Sequence, residues 1–294
     1  YEIGEKNLYK DTKWAKEILA QQDENGLWGN FHTLSKPSKA PITTEQALRR
    51  LYVLGFDIND EAIARTVTYM SDCLKGRKQM PDRREKMHNW DIFTELMLAV
   101  WIRKFTLADR SANRVAGKWA DIITRAFSSG SFSHEDCALA YTEIFGEPPR
   151  GGRLVDFVTF YQLSLLPGML NERTERLMMD YVLHYDKGIY YVFSRPSGDS
   201  RICNVPETFA SREAGRYLAA LELLAEYRNS IDMLHFASKW LYANQREEGN
   251  WDMGSEVKDG IYFPLSDNWK KKENRIADCT WRIRRLLDKL EDRN

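Results

Sequence analysis

The stretch QQDENGLWG, residues 21–29, sets a glutamine, a glycine and a tryptophan at Gln22, Gly26 and Trp28, and NQREEGNWD, residues 244–252, repeats the spacing with Gln245, Gly249 and Trp251. With 6 glutamines, 17 glycines and 9 tryptophans in 294 residues, the pattern should arise about 0.01 times per chain by chance. Two copies so far apart therefore mark a repeated structural unit. Each follows an amphipathic helical pattern, TKWAKEILAQQ (12–22) and SIDMLHFASKWLYANQ (230–245). In that position the glutamine amide is expected to bond backbone groups left over at a neighbouring helix end. The glycine permits a positive-φ turn, and the tryptophan ring covers the amide. The motif is thus expected to staple one helical hairpin to the next.

Outward from these two points, helical periodicity dominates. Apolar steps of three and four residues run through 43–55, 59–74, 88–105, 110–127, 133–146, 153–166, 171–185, 206–227 and 273–290, which with the two helices above makes about eleven. Thr43 or Thr44, Asn59, Ser133 and Asn171 are expected N-caps, and Gly55 and Gly146 are expected left-handed stops. Only IYYVF (189–193), between Gly188 and the loop SRPSGDS, reads as strand-like, so the fold class is all-α.

The helices themselves repeat. Aligning TEQALRRLYVLG (44–55) with EDCALAYTEIFG (135–146) sets Ala47 and Leu48 on Ala138 and Leu139, Gly55 on Gly146, and Glu45 on Asp136. RIRRL (282–286) echoes ALRRL (47–51), which sets Thr280 at the place of Glu45.

Gln22, Gly26, Trp28 and Gln245, Gly249, Trp251 resemble the QW repeats of the squalene-hopene and oxidosqualene cyclases, and TTEQALRRLYVLG resembles the inner helix that follows such a motif. The resemblance implies the α/α toroid that those cyclases share with protein prenyltransferase β subunits, as a single domain over residues 1–294 with about 11–12 helices. It does not extend to the catalytic motifs. The chain has no DxDD, the nearest run being DIND at 57–60, no DDxxD, and no Asp-x-Cys pair, since Asp72, Asp136 and Asp278 directly precede Cys73, Cys137 and Cys279.

Composition narrows the function classes. Lys plus Arg and Asp plus Glu both total 43, which removes the positive field of a general nucleic-acid binder. The longest apolar run, LMLAVWI at 96–102, is far shorter than the roughly 20 residues that cross a bilayer. Four scattered cysteines without a CxxC pair point to free thiols in a reducing, cytoplasmic setting. His134 and Cys137 share a helical face, but no second cluster completes a zinc site, so neither metal nor cofactor is expected.

In a toroid the inner helix ends surround a cavity suited to a small, mainly hydrophobic ligand. Asp136, Asp91, Glu45 and Asp278, near inner-helix starts, are the catalytic candidates. Convergent carboxylates can act as a general acid and base, although acids favour the first turn of any helix. His134, Trp90, Phe93, Tyr161, Phe209, Trp281 and Arg49 are the ligand-binding candidates, the aromatic rings for an isoprenoid or sugar face and the arginine for an anionic group. Three functions follow: an isoprenoid-binding, cyclase-like protein; a carbohydrate-active α/α-barrel enzyme with paired carboxylates; and a noncatalytic scaffold.

Overall fold

The computed structural model describes residues 9–32, 40–86, 88–151 and 153–291, and among them it holds thirteen α-helices, one 3-10 turn and no strand. The chain divides into two compact units, residues 1–115 with 260–268, and residues 116–259 with 269–294. None of the described helices is long and apolar enough to cross a membrane.

The first unit contains α1 (Lys13–Leu19), α2 (Thr44–Val53), α3 (Glu61–Leu74), α4 (Trp90–Phe105) and the start of α5 (Arg110–Ala126). Thr43 opens α2 with a capping box: its hydroxyl accepts the Gln46 N–H at 3.2 Å, and the Gln46 side chain accepts the Thr43 N–H at 2.9 Å. Gly55, at φ 92°, closes α2: its N–H reaches Tyr52 O at 3.1 Å and the Phe56 N–H reaches Leu51 O at 3.0 Å, the paired bonds of a Schellman stop. The expected cap of α3 is corrected by one residue. Asn59 gives its N–H to Asp57 Oδ1 at 2.8 Å within a turn that Asp60 also closes, by accepting the Asp57 N–H at 2.7 Å, so Asp60 becomes the N-cap. α3 and α4 pack together, and α4 is buried along nearly its whole length. The returning segment 260–268 locks onto α1 and α2. The Lys13 N–H donates to Asp267 Oδ1 at 2.7 Å, the Trp14 indole to Ser266 O at 3.0 Å, and the Arg50 guanidinium to Ile261 O at 2.9 Å and to Pro264 O.

The second unit holds the rest of α5, then α6 (His134–Phe145), α7 (Arg153–Asp156), α8 (Phe160–Leu165), α9 (Glu172–His184), α10 (Arg212–Leu224), α11 (Ser230–Met233), α12 (His235–Ala243), a 3-10 turn (Ser255–Val257) and α13 (Lys272–Leu290). Ser133 and Asn171 cap α6 and α9 as their residue types predict.

Three expectations are corrected in this unit. The helix over 153–166 breaks at Phe157, whose φ is 37° and whose ring is fully buried against Phe127, Phe132 and Tyr181; tertiary packing of that ring overrides the local pattern. The segment 206–211 is not helical, because Ser211 is the cap, accepting the Ala214 N–H at 3.0 Å, and α10 starts only at Arg212. IYYVF forms no strand. It turns sharply at Tyr191, φ 69°, leaving only isolated bridges between Ile189 and Phe193 and between Thr159 and Tyr190, because Thr159, extended beside it, is the N-cap of α8 and the pairing goes no further.

The two Gln–Gly–Trp motifs share three bonds. The Gln22 amide reaches Gly26 O at 3.1 Å, and the Gln245 amide reaches Gly249 O at 3.1 Å. The Trp28 indole donates to Ile18 O and the Trp251 indole to Leu241 O, both at 2.7 Å. The Trp28 N–H donates to Thr44 Oγ1 at 2.9 Å and the Trp251 N–H to Thr280 Oγ1 at 3.1 Å. The last pair corrects the repeat register by one residue: Thr280 matches Thr44, not Glu45. The RIRRL echo misaligns because common helix formers match in several phases, whereas the hydroxyl bond fixes one.

Candidate functional site

In the first unit the opening motif runs directly into a charged, aromatic cluster. The first turn of α2 has N–H groups with no partner inside the helix. They are taken by the chain just beyond Trp28: the Thr44 N–H donates to Asn30 O at 2.9 Å and the Glu45 N–H to Phe31 O at 3.0 Å. Asp82, buried, holds the other side of the same strip, accepting the His32 N–H at 2.8 Å on one oxygen and the Phe31 N–H on the other. Clamped on both sides, the strip sets the His32 ring over Glu45.

His32 Nδ1 lies 2.9 Å from Glu45 Oε2, and Arg49, one turn along α2, donates to Glu45 Oε1 at 3.2 Å. The carboxylate thus bridges an imidazole and a guanidinium with its side chain only 9% exposed. Burial pulls the His32 pKa down, but the Glu45 hydrogen bond and the negative charges of Glu45, Asp82 and Glu85 more than offset it, so the pKa is raised above 6.5. An imidazolium held by a buried carboxylate is a proton donor oriented by its partner.

Aromatic rings from the start of α4 flank this pair. Phe93 meets His32 edge-on at 5.3 Å between centroids and His88 at 4.8 Å, while Trp90 lies 5.6 Å from His88 and 6.1 Å from Phe93. The Arg49 guanidinium lies 6.0 Å from the Trp101 ring. Glu45, Arg49, Trp90 and Phe93 among the sequence candidates therefore meet here. Asp91 does not join them: it points outward in an exposed ion pair with Arg84 at 2.6 Å. Sequence reasoning missed His32 and Asp82. For His32 the available signal was its place four residues beyond the motif tryptophan.

The other candidates lie in the second unit and do not form one cluster. His134 is exposed and bonds Asp156 through Nε2 at 2.7 Å. Cys137 is buried, its thiol donating to Val155 O at 3.5 Å and pushed up to about 12 by burial and then by the Asp156 charge. That thiol is no thiolate ligand at neutral pH. Asp136 is half-buried in the first turn of α6, and its N–H is held by the Ser133 hydroxyl at 3.1 Å. Asp278 is fully buried in the second turn of α13. Tyr161 packs edge-on to Tyr191 at 5.4 Å, Phe209 to Trp240 at 5.1 Å, and Trp281 carries the Arg285 guanidinium at 4.5 Å. All four cysteines are free thiols, and the described residues contain no group of three or more His, Cys, Asp and Glu side chains arranged to hold a metal ion.

Comparison with known proteins matches the chain to no family pattern, no curated protein and no solved structure.

Proposed function

We propose that this chain is a cyclase- and prenyltransferase-like α/α-toroid protein that binds a small ligand with an apolar body and a polar end. The polar end meets His32, Glu45 and Arg49, and the apolar body lies on Trp90 and Phe93. The observation that carries this reading is the Glu45 carboxylate, buried and shared between His32 at 2.9 Å and Arg49 at 3.2 Å beside aromatic rings. Burying a charged group is costly unless it is paired, and a purely structural core would be built more cheaply from apolar residues. The raised His32 pKa equips the same site to donate a proton to a bound ligand.

Paired-carboxylate sugar chemistry has less support. The second carboxylate near His32, that of Asp82, has both oxygens engaged by main-chain amides, so it holds the loop instead of facing a substrate.

Native mass spectrometry of protein purified from its own host, with extraction of retained small molecules, tests the reading. An apolar molecule carried by the parent protein and lost from a folded Phe93→Ala variant supports it. A retained sugar supports the carbohydrate alternative. A protein that retains nothing and shows no thermal shift with isoprenoids or oligosaccharides is a scaffold.

A further inference from the structure

The polar groups at the His32–Glu45–Arg49 corner differ in what they can offer a ligand. Both oxygens of the Glu45 carboxylate are engaged, Oε2 by His32 Nδ1 at 2.9 Å and Oε1 by Arg49 Nη2 at 3.2 Å. Glu45 is also the most covered of the three, its side chain 9% exposed against 19% for His32 and 14% for Arg49. A ligand reaching this corner therefore meets the imidazole and the guanidinium before the carboxylate. A guanidinium has no acceptor atom, and a protonated imidazole donates from both nitrogens. Arg49 also lies over the Trp101 ring at 6.0 Å, a cation–π contact that holds the guanidinium without using an N–H group.

The charge balance of the corner is positive by one. With His32 protonated, as the acids around it favour, His32 and Arg49 stand against Glu45 alone. Arg50, next along α2, is turned to the Ile261 and Pro264 carbonyls. The segment 82–93, which supplies Asp82, Trp90 and Phe93, adds no net charge from its acids, lysine and arginines, since Arg83, Arg84 and Lys86 balance Asp82, Glu85 and Asp91. His88, the remaining ionisable group there, lies 4.0 Å from Glu85 Oε2.

We propose that the ligand of this site is an amphiphile ending in a single carboxylate, of the medium-chain fatty-acid type, whose oxygens accept from His32 and Arg49 while its chain lies on Trp90 and Phe93. The proposal rests on the binding reading above and narrows it to one ligand class. An ammonium end sets donors against donors, and the carboxylate it needs is already shared. An alcohol end brings no charge to meet the positive one. A phosphate end brings nearly two negative charges to a corner with one positive charge to spare.

The probes are octanoate, octanol, octylammonium and octyl phosphate, which share one apolar chain. Each is titrated at about pH 7 into the full chain labelled with 15N, and the NMR signals of the His32 and Phe93 main-chain amides and of Arg49 Nε–H give the Kd. Octanoate is expected to bind at least about tenfold more tightly than octanol, and octylammonium more weakly than either. In Arg49→Gln, with its amide spectrum unaltered elsewhere, octanoate is expected to weaken about tenfold, and Arg49→Lys keeps part of the preference. If Arg49→Gln does not fold, the ranking on the parent chain decides alone. Equal affinity for octanoate and octanol, tighter binding of octylammonium or octyl phosphate, or a preference for octanoate that survives Arg49→Gln overturns the proposal and leaves the apolar-body reading standing. No shift at these residues with any of the four at several millimolar overturns that reading and the proposal with it.

Discussion

The Trp28 indole donates to the Ile18 carbonyl at 2.7 Å, tying the loop that carries the motif back to the end of α1 from inside the core. Trp119 is equally buried, but its indole N–H has no hydrogen-bond partner among the described residues. Replacing either by phenylalanine removes similar ring volume, but only Trp28→Phe breaks a bond, whereas Trp119→Phe removes an unsatisfied donor. Trp28→Phe is expected to cost about 1–2 kcal/mol more than Trp119→Phe in urea unfolding. Equal losses would mean that the indole bond contributes nothing to stability.

The glycines of the two motifs separate backbone strain from crowding. Gly26 and Gly249 have φ of 85° and 75°, so alanine at either pays a left-handed penalty of about 1 kcal/mol. Only at position 26 does the new methyl also meet a helix, 3.0 Å from Arg65 Cβ and 3.1–3.2 Å from the α3 backbone. Gly26→Ala is expected to destabilise by about 1–3 kcal/mol more than Gly249→Ala. Chemical denaturation of both variants decides it, and a Gly249→Ala loss as large as that of Gly26→Ala would show that the close approach to α3 adds nothing to the backbone strain.

How much of this was legible depended on the range of the interactions. Thr43, Ser133 and Asn171 could be read as caps because a cap bonds residues two or three positions away. Glu45 and Arg49 could be read from the first turns of α2. The break at Phe157 could not, since it follows from contacts with Phe127 and Tyr181, distant in sequence. His32 and Asp82 escaped for a related reason: the Asp82 carboxylate accepts the main-chain N–H of His32, 50 residues away, and no residue pattern records that docking. Asp91 shows the opposite error. A first-turn acid satisfies the helix dipole on any face, and here the helix phase turns it to solvent, toward Arg84.

The His32–Glu45 contact predicts a pH response with a definite sign. Burial opposes the charge on His32, and the Glu45 hydrogen bond followed by the Glu45, Asp82 and Glu85 charges favours it, so the folded pKa is raised above 6.5. A raised pKa means that the protonated ring stabilises the fold. That contribution is present below the unfolded value and is lost as pH rises through the folded one. Glu45→Gln removes the strongest favourable partner and leaves the burial, so the His32 pKa should fall. NMR titration of the imidazole Cε1–H in both proteins measures this. An unchanged His32 pKa in Glu45→Gln would remove the basis for the proton-donor role.

Asp109 makes the complementary prediction on the acid side. One of its oxygens accepts the Ser111 and Ala112 N–H groups at 2.9 and 2.8 Å at the start of α5, and the other takes the Ser71 hydroxyl, with Lys75 at 3.6 Å. Burial raises its pKa, but the Ser71, Ala112 and Ser111 bonds and the Lys75 charge outweigh it and hold the pKa below 3.8. The ionised form is therefore the stabilising one: its contribution is complete above the unfolded pKa and disappears as pH falls through the lower, folded one. Asn at this position keeps an oxygen for the α5 amides but loses the charge at the helix start, so Asp109→Asn should cost about 1 kcal/mol at pH 7. Urea midpoints of the two proteins should then converge as pH drops below 3.8, since the parent aspartate itself becomes neutral. A gap that stays as wide in acid as at pH 7 would mean that the substitution acts through packing against Ser71 and not through the carboxylate charge.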